Sequence, residues 1–477
     1  MKKLLMALIA ILLCTSCGNP LLSGGGEAAW NSPLAFQEPA PEGMVLIGRG
    51  TFNMGPVEED SLWGYRPMAK TVSVESFWMD ETEVTNAEYR KFVYWVRDSI
   101  IRERLADPAY GGNDLYKITE DKYGEPVTPS LNWDRTIPWR HPDEDEQTAI
   151  ESIYSVNPVT GEKKLDTRQM NFKYEWYDYT SAALRRNNPS SGTAVIISKD
   201  TAYVAGDGRI VNETITRPLS GPWDFLNTYI INIYPDETCW VNDFRNTYNE
   251  PYMRLYFTHP GYDDYPVVGV SWEQATAYCA WRTNQFRQSR NGRTGQLSEP
   301  FRLPTESEWE YAARAGRNEN KYPWDGEDML CKEGCFRANF KPGKGNYVED
   351  GHLITARTGS FLPNKYGVYD MAGNVAEWTS TAYLETGPVR MNDINPDLQY
   401  RAAKEDPAVL KRKVVRGGSW KDIARFVRSD MRTFGYQDET HAYIGFRCVR
   451  TQIGFAKARR YSCLLYTSPS PRDGLLS

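Results

Sequence analysis

The sequence predicts a mixed α+β protein with little regular secondary structure. Three observations carry this reading. Short stretches of alternating apolar and polar residues are scattered along the chain, only a few segments repeat at helical spacing behind a capping residue, and 37 glycines and 29 prolines punctuate the rest. At 477 residues the chain exceeds the usual single core, so one large domain with insertions, or two domains, is expected. Charged residues at 25% and hydrophobic residues at 40% fit a soluble globular body, and a net charge of −6 argues against nucleic acid as a partner. Thirty tyrosines and fifteen tryptophans supply large amphipathic side chains, used for core and turn packing and also favoured at interfaces.

The chain opens on a targeting pattern. Lys2 and Lys3 precede an apolar run, residues 4–13, that is too short to span a bilayer, and Cys14, Thr15, Ser16 and Cys17 follow. Ser16 before Cys17 resembles a bacterial lipobox, which implies lipidation of Cys17; an ordinary signal peptide with two spare thiols is the alternative. No other stretch reaches the ~18 apolar residues a membrane helix needs. Residues 18–41, rich in Gly, Pro, Ser and Ala, read as a flexible tether.

From Met44 to Met54 apolar residues alternate with turn residues as in a strand or hairpin, and residues 70–80 alternate again. Thr85 is placed to cap a helix, with Glu88 as its capping-box partner. The helix carries Tyr89, Phe92, Val93, Val96 and Ile100 at helical spacing to about Arg104, before Asp107 and Pro108 end it. Residues 193–212 alternate like two strands around a turn at 205–209. Two further helices are expected, over residues 271–284 and over residues 306–315, the second capped by Thr305 with Glu308. The basic loop 287–293 between them reads as a solvated turn.

Residues 361–380 bring an Asn-led turn, an apolar-aromatic run, a second turn at Gly373 and Asn374, and then Glu377 beside Trp378. A backbone turning at Gly373, with a carboxylate four residues on, can converge main-chain carbonyls and one Glu on a point, as calcium sites do. A solvated or capping Glu is the competing reading.

Residues 370–378, AspMetAlaGlyAsnValAlaGluTrp, resemble the signature of the formylglycine-generating-enzyme (sulfatase-modifying factor) domain. Further blocks of that family follow its order at residues 44–55, 83–92, 265–272, 301–314, 415–420 and 444–448, framing residues 42–452. The resemblance implies a fold like that of C-type lectins, with residues 106–262 as a large insertion. The insertion is dense in aromatics, carries an acidic run at 143–146, and serves either as decoration that widens the core or as a partner surface. Residues 78–86, 93–104, 131–134, 249–253 and 259–270 also resemble the PorK/GldK-type outer-membrane lipoproteins of the type IX secretion system, whose GldJ-type relatives share the core domain.

That second resemblance implies a non-catalytic scaffold on the periplasmic face of the outer membrane, self-associating in a ring with a PorN/GldN-like periplasmic protein. A thiol-oxidising enzyme and a glycan-binding lectin-like module are the alternatives. Formylglycine-generating enzymes hold Cu(I) with two cysteines shortly after a GlyGlySer turn, and thiolates are what Cu(I) requires. Here residues 420–429 contain no cysteine, nor does any position between Cys335 and Cys448, so copper is not expected. Iron is not expected either, because His141, His259, His352 and His441 show no ligand spacing. Arg425, Arg428 and Arg432 near the former groove are read as salt-bridge partners of local acids.

The resemblance further implies two structural calcium sites. The first is formed by Asn339, Phe340, Asp350 and His352, with Phe340 and His352 contributing carbonyls; the second by Ala372, Gly373, Val375 and Glu377, where Glu377 alone supplies charge. It also implies a Cys279–Cys448 disulfide. Cys331 and Cys335 are close enough to bridge if their loop turns; a metal pair is the competing reading, without a nearby His or Cys to complete it. Cys239 is left as a buried thiol. Residues 463–477, with Cys463, look like a translated sequencing-adapter read.

Overall fold

A computed structural model describes residues 39–57, 69–121, 123–158, 161–187, 195–205, 209–289, 299–317 and 320–453. Cys17 and its lipobox, the tether up to residue 38, the centre of the 205–209 turn, the end of the basic loop from residue 290 and the segment 463–477 lie outside the described residues.

Strands β1 (Met44–Ile47) and β2 (Gly50–Met54) are followed by β3 (Lys70–Val74) and β4 (Phe77–Asp80). The alternation at 44–54 is not one hairpin: β1 pairs with β4 and β2 with β3, both antiparallel. Helix α1 (Asn86–Leu105) starts behind Thr85, whose side chain accepts from the Glu88 amide while the Glu88 carboxylate accepts from the Thr85 amide. Its inner face buries Tyr89, Phe92, Val93 and Val96.

Within residues 106–262 the chain forms β5 (Lys117–Glu120), β6 (Pro126–Leu131), α2 (Glu144–Glu151), β7 (Tyr154–Val156), β8 (Lys163–Leu165), β9 (Asn171–Tyr177), β10 (Ile196–Val204), β11 (Ile210–Pro218) and β12 (Leu226–Asn232). The acidic run is the capped first turn of α2: Asp143 and Glu146 form a capping box, where negative charge favours the helix N-terminus. Strands β9 and β12 pair antiparallel from Asn171 opposite Asn232 to Tyr177 opposite Leu226. Their residues Phe172, Tyr174 and Tyr229, with Met170 and Ile233, enter the same buried cluster as α1, so this part of the insertion is core.

Then come α3 (Trp272–Ser289), β13 (Phe301–Arg302), α4 (Glu306–Arg314), β14 (Ala376–Ala382), β15 (Arg412–Arg416), β16 (Thr433–Tyr436), β17 (Ile444–Gly445) and β18 (Val449–Thr451). Helix α3 runs past the expected residue 284, and Phe286 in its last turns packs edge-on against Phe301 at 5.5 Å. Helix α4 stops at Arg314 because Ala315 takes a left-handed φ of 46°.

Two four-stranded sheets organise the framework. One has the order β1-β4-β18-β13, all antiparallel; the other has the order β16-β15-β14-β17, with β14 and β17 parallel. Between them, α1 and α3 bury the largest cluster, while β2, β3, β4 and α4 enclose a second around Phe52, Met79 and Trp309. The Arg401 guanidinium fastens the β9–β12 ladder to the loop before β15. It lies 3.5 Å from the centre of the Tyr229 ring and donates to the Tyr174 hydroxyl at 2.7 Å.

Candidate functional site

The signature turn at 370–378 is built on three left-handed residues in quick succession: Asp370 at φ 56°, Gly373 at 78° and Asn374 at 59°. Only glycine fits at 373, since a Cβ there would overlap the Asn339 carbonyl. That close approach lets the Asn374 amide donate to Asn339 O at 2.8 Å and the Gly373 amide to Gly417 O at 3.0 Å. The Asn374 side chain, 1% exposed, bonds through both its nitrogen and its oxygen. Its Nδ2 donates to Glu83 Oε1 at 3.0 Å, and its Oδ1 accepts from the Ala356 amide at 2.8 Å and from Asn339 Nδ2 at 3.2 Å. One amide thus ties its own turn to the segments at 339 and 356 and to the far Glu83.

Glu377 does not stand alone as the expected charged ligand. Its Oε2 accepts from Arg447 Nε and from Trp309 Nε1, each at 2.8 Å, and its Oε1 accepts from Arg447 Nη2 at 2.7 Å. Arg447 also donates to the carbonyls of Asp80, Glu81 and Tyr369, so the buried pair is bidentate and well satisfied. Beside it lie two acids that the sequence pattern does not single out, Glu83 and Asp370. Three buried carboxylates therefore face one guanidinium. Burial, together with the neighbouring Asp370 charge, pushes the Glu83 carboxyl well above the usual range. Burial also lifts Asp370 to about 6, against the lowering pull of the Gly359 amide and Arg447. Glu83 Oε2 is buried without a hydrogen-bond donor.

This excess of buried negative charge is the demand a divalent cation would meet, and the turn suits a hard ion. Such an ion would draw on Glu83 and Asp370 with the carbonyls of Gly373 and Val375, but the three carboxylates are not gathered within ligand distance of one another and both oxygens of the expected ligand Glu377 are taken by Arg447 and Trp309; Ala372 is buried in the same turn. At the first implied site the structure brings Asn339, Phe340, Asp350 and His352 together. The Phe340 amide donates to Asp350 Oδ2 at 2.7 Å and the His352 amide to Asp350 Oδ1 at 3.1 Å. Asn339 Nδ2 also donates to Ile354 O at 2.9 Å. This set offers one carboxylate whose pKa is raised by burial, a weaker demand for a cation than the Glu83 cluster makes.

The stretch 420–429, where the family resemblance implies the copper cysteines would fall, is packed with other chemistry. Trp420 lies among Trp240, Phe244 and Tyr347 and donates to Ala442 O at 3.2 Å, while Val427 is fully buried. Arg428 pairs with Asp430, and Arg432 binds Glu306 at 2.6 Å. Arg416 and Arg314 converge on Glu310 beneath them. His441 binds Asp243 Oδ1 at 3.0 Å and stacks on Tyr443.

Of the cysteines, Cys279 and Cys448 are brought side by side with their sulfurs 3.5 Å apart, as two buried thiols without a bond. Cys331 and Cys335 are disulfide-bonded, and Cys239 is a buried thiol. Two cavities, of about 670 Å³ and 380 Å³, lie at the β9–β12 region of the insertion, the smaller also touching Ser271, Glu273 and Thr440. No helix among the described residues is long and apolar enough to cross a membrane.

The signature turn, its partners from 83, 339 and 417, and the two framework sheets define a family. The model of the "Sulfatase-modifying factor enzyme 1-like domain" matches residues 31–166 and 227–452, and the chain belongs to this family and has its mixed α+β fold. Only residues 167–226, inside the expected insertion, interrupt the match. A formylglycine-generating enzyme of Streptomyces coelicolor is 34% identical over 194 residues, covering 39% of this chain and 53% of the relative. The "Inactive C-alpha-formylglycine-generating enzyme 2" of Bos taurus is 35% identical over 191 residues, covering 39% and 50%. The chain thus spans about half the length of these curated relatives. Among solved structures, PvdO from Pseudomonas aeruginosa is similar at a TM-score of 0.41 and 17% identity, over 86% of this chain and 94% of PvdO.

Proposed function

We propose that the chain is a catalytically silent scaffold of the type IX secretion and gliding machinery, lipid-anchored through Cys17 to the periplasmic face of the outer membrane. In this reading it assembles in a ring with a PorN/GldN-like partner, and structural calcium steadies its irregular loops. The observation that carries the silent reading is the stretch 420–429. It lacks any thiol for Cu(I), and its Arg428 is committed to an ion pair with a neighbouring acid. The bovine relative is named inactive, and the same description is extended here to this chain. The secretion role is supported by the lipobox and by the PorK/GldK-like blocks at 78–104, 131–134 and 249–270.

The test is a pull-down of the tagged full-length protein from its native envelope, followed by mass spectrometry and particle imaging. A PorN/GldN-like protein recovered in ring particles supports the reading, and Cys17→Ala then releases the chain from the membrane fraction. Recovery of the chain alone, or Cu(I) binding with oxidation of a cysteine peptide, overturns it.

A further inference from the structure

The loop 331–335 carries chemistry that neither the fold nor the proposed role uses. Its two cysteines close a disulfide across four residues of sequence, and Glu333 between them places a carboxylate oxygen so that all three ligand atoms lie within 4.8 Å of one another. Among the described residues this is the one cluster of three metal-binding side chains so closely spaced. Cys335 and Glu333 are exposed and Cys331 is half-buried.

Backbone hydrogen bonds brace the loop alongside the sulfur bond. The Cys331 amide donates to Cys335 O at 2.7 Å, the Gly334 amide to Cys331 O at 3.0 Å and the Arg337 amide to Met329 O at 3.0 Å, and Leu330 and Phe336 form a bridge. Gly334 supplies the left-handed φ of 85° that the turn requires. Closing so short a loop restricts the unfolded chain less than a long loop would, and the bond spans only this one turn, so its loss is a local event.

We propose that this loop is a two-state site: an exchangeable disulfide when oxidised, and a Cys331–Glu333–Cys335 chelate for Zn²⁺ or a similar borderline metal when reduced. In the reduction a thiolate of an external dithiol attacks the exposed Cys335 sulfur. The Sγ–Sγ bond breaks, a mixed disulfide forms, and Cys331 leaves as thiolate. The second thiol of the reductant then releases Cys335, so two electrons and two protons pass to the pair and the reductant ends as its own disulfide. Cys331 is the better leaving group because its Sγ already accepts the Cys335 amide at 3.0 Å, a contact that favours the anion; Lys332 adds positive charge beside it, while Glu333 opposes. The metal then displaces the remaining thiol protons and takes two sulfurs, one Glu333 oxygen and a water in tetrahedral array. Glu333 is thus the third ligand that the sequence alone did not reveal.

The test uses the full chain, reduced with dithiothreitol, desalted under nitrogen and titrated with Co²⁺. The expected result is one equivalent bound with a thiolate-to-cobalt charge-transfer band, displaced by Zn²⁺ and absent in untreated protein. Glu333→Gln weakens binding by about tenfold or more. A reduced parent without the band overturns the proposal. So does an equal band in Cys331→Ser/Cys335→Ser, which would assign the metal to other thiols, or unchanged affinity in Glu333→Gln. Near-parental melting of the double-serine variant verifies that the loop is separable from the fold.

Discussion

The turn at 370–378 and the β5–β6 hairpin are both made of short irregular segments, yet opposite means hold them. At the turn, burial makes each unpaired polar atom costly: Asn374, Glu377 and Arg447 are buried and bonded to segments from both ends of the chain. In the hairpin all residues but the last of β6 are exposed, and water satisfies what the ladder does not. Pro126 and Pro129 remove donors from its edge, which discourages unwanted strand addition. The difference teaches where sequence change is tolerated. A family can vary its exposed hairpins freely, whereas the buried charges fix one arrangement because removing either partner strands the other.

Substitutions can break or sharpen that contrast. The largest effect is expected from Arg447→Met, which leaves Glu377 buried without its cation and costs about 3–5 kcal/mol in urea unfolding at fixed calcium. The double variant Arg447→Met/Glu377→Leu should recover much of that loss, and a single-variant cost below about 1 kcal/mol would contradict the account of the turn.

Next is the acid cluster. Calcium at 100 times its dissociation constant should stabilise the parent by about 2.7 kcal/mol. Glu83→Gln keeps the acceptor for Asn374 but removes the carboxylate that a cation would bind. Its melting in chelator should match or exceed the parent's while the calcium increment shrinks; an undiminished increment refutes a cation at Glu83.

Lys413 gives a pH signature on the core side. It is buried over the Trp272 ring, and burial with the neighbouring Arg401 lowers its pKa to about 7, against the raising pull of Asp397 and Glu273. The unfolded chain keeps this proton up to about 10.5 while the native chain has lost it, so Lys413 makes stability rise with pH between about 7 and 10.5. Lys413→Met should flatten that rise, by at most about 1.4 kcal/mol per pH unit, and should stabilise relative to the parent most at the acidic end. Parallel stability–pH curves would exclude this account. The smallest effect is expected from Ile118→Ser on the hairpin, 38% exposed in the parent, which should change unfolding by no more than about 0.5 kcal/mol.

What could be read in the sequence follows the same division. The capping boxes at Thr85 and Thr305 are local, carried by residues three apart, and the structure has both. The signature turn was visible through Gly373 and Asn374 because left-handed geometry restricts residue choice on the spot. Glu83 and Asp370 were missed because a carboxylate's burial is decided by chain hundreds of residues away. The one available hint was Arg447, a cation inside the otherwise apolar run from Phe446 to Val449. The two separate ladders of β1 and β2 were equally illegible: alternation marks a strand but does not name its partner. The acidic run at 143–146 had a local reading too, as a helix start, that composition alone obscured.

The strand order of the first sheet has a consequence in time. The last described strand, β18, lies between β4 and β13, with Val449 opposite Met79 on one side and Arg302 on the other. As the polypeptide emerges, some 370 residues separate β4 from the neighbour that completes it. Until β18 arrives both edges stay open, and contacts of such long range form slowly. Folding of the framework is therefore committed only after nearly the whole domain is synthesised. The nascent chain then needs protection of those edges, and truncation upstream of Val449 should yield aggregation rather than a smaller folded protein.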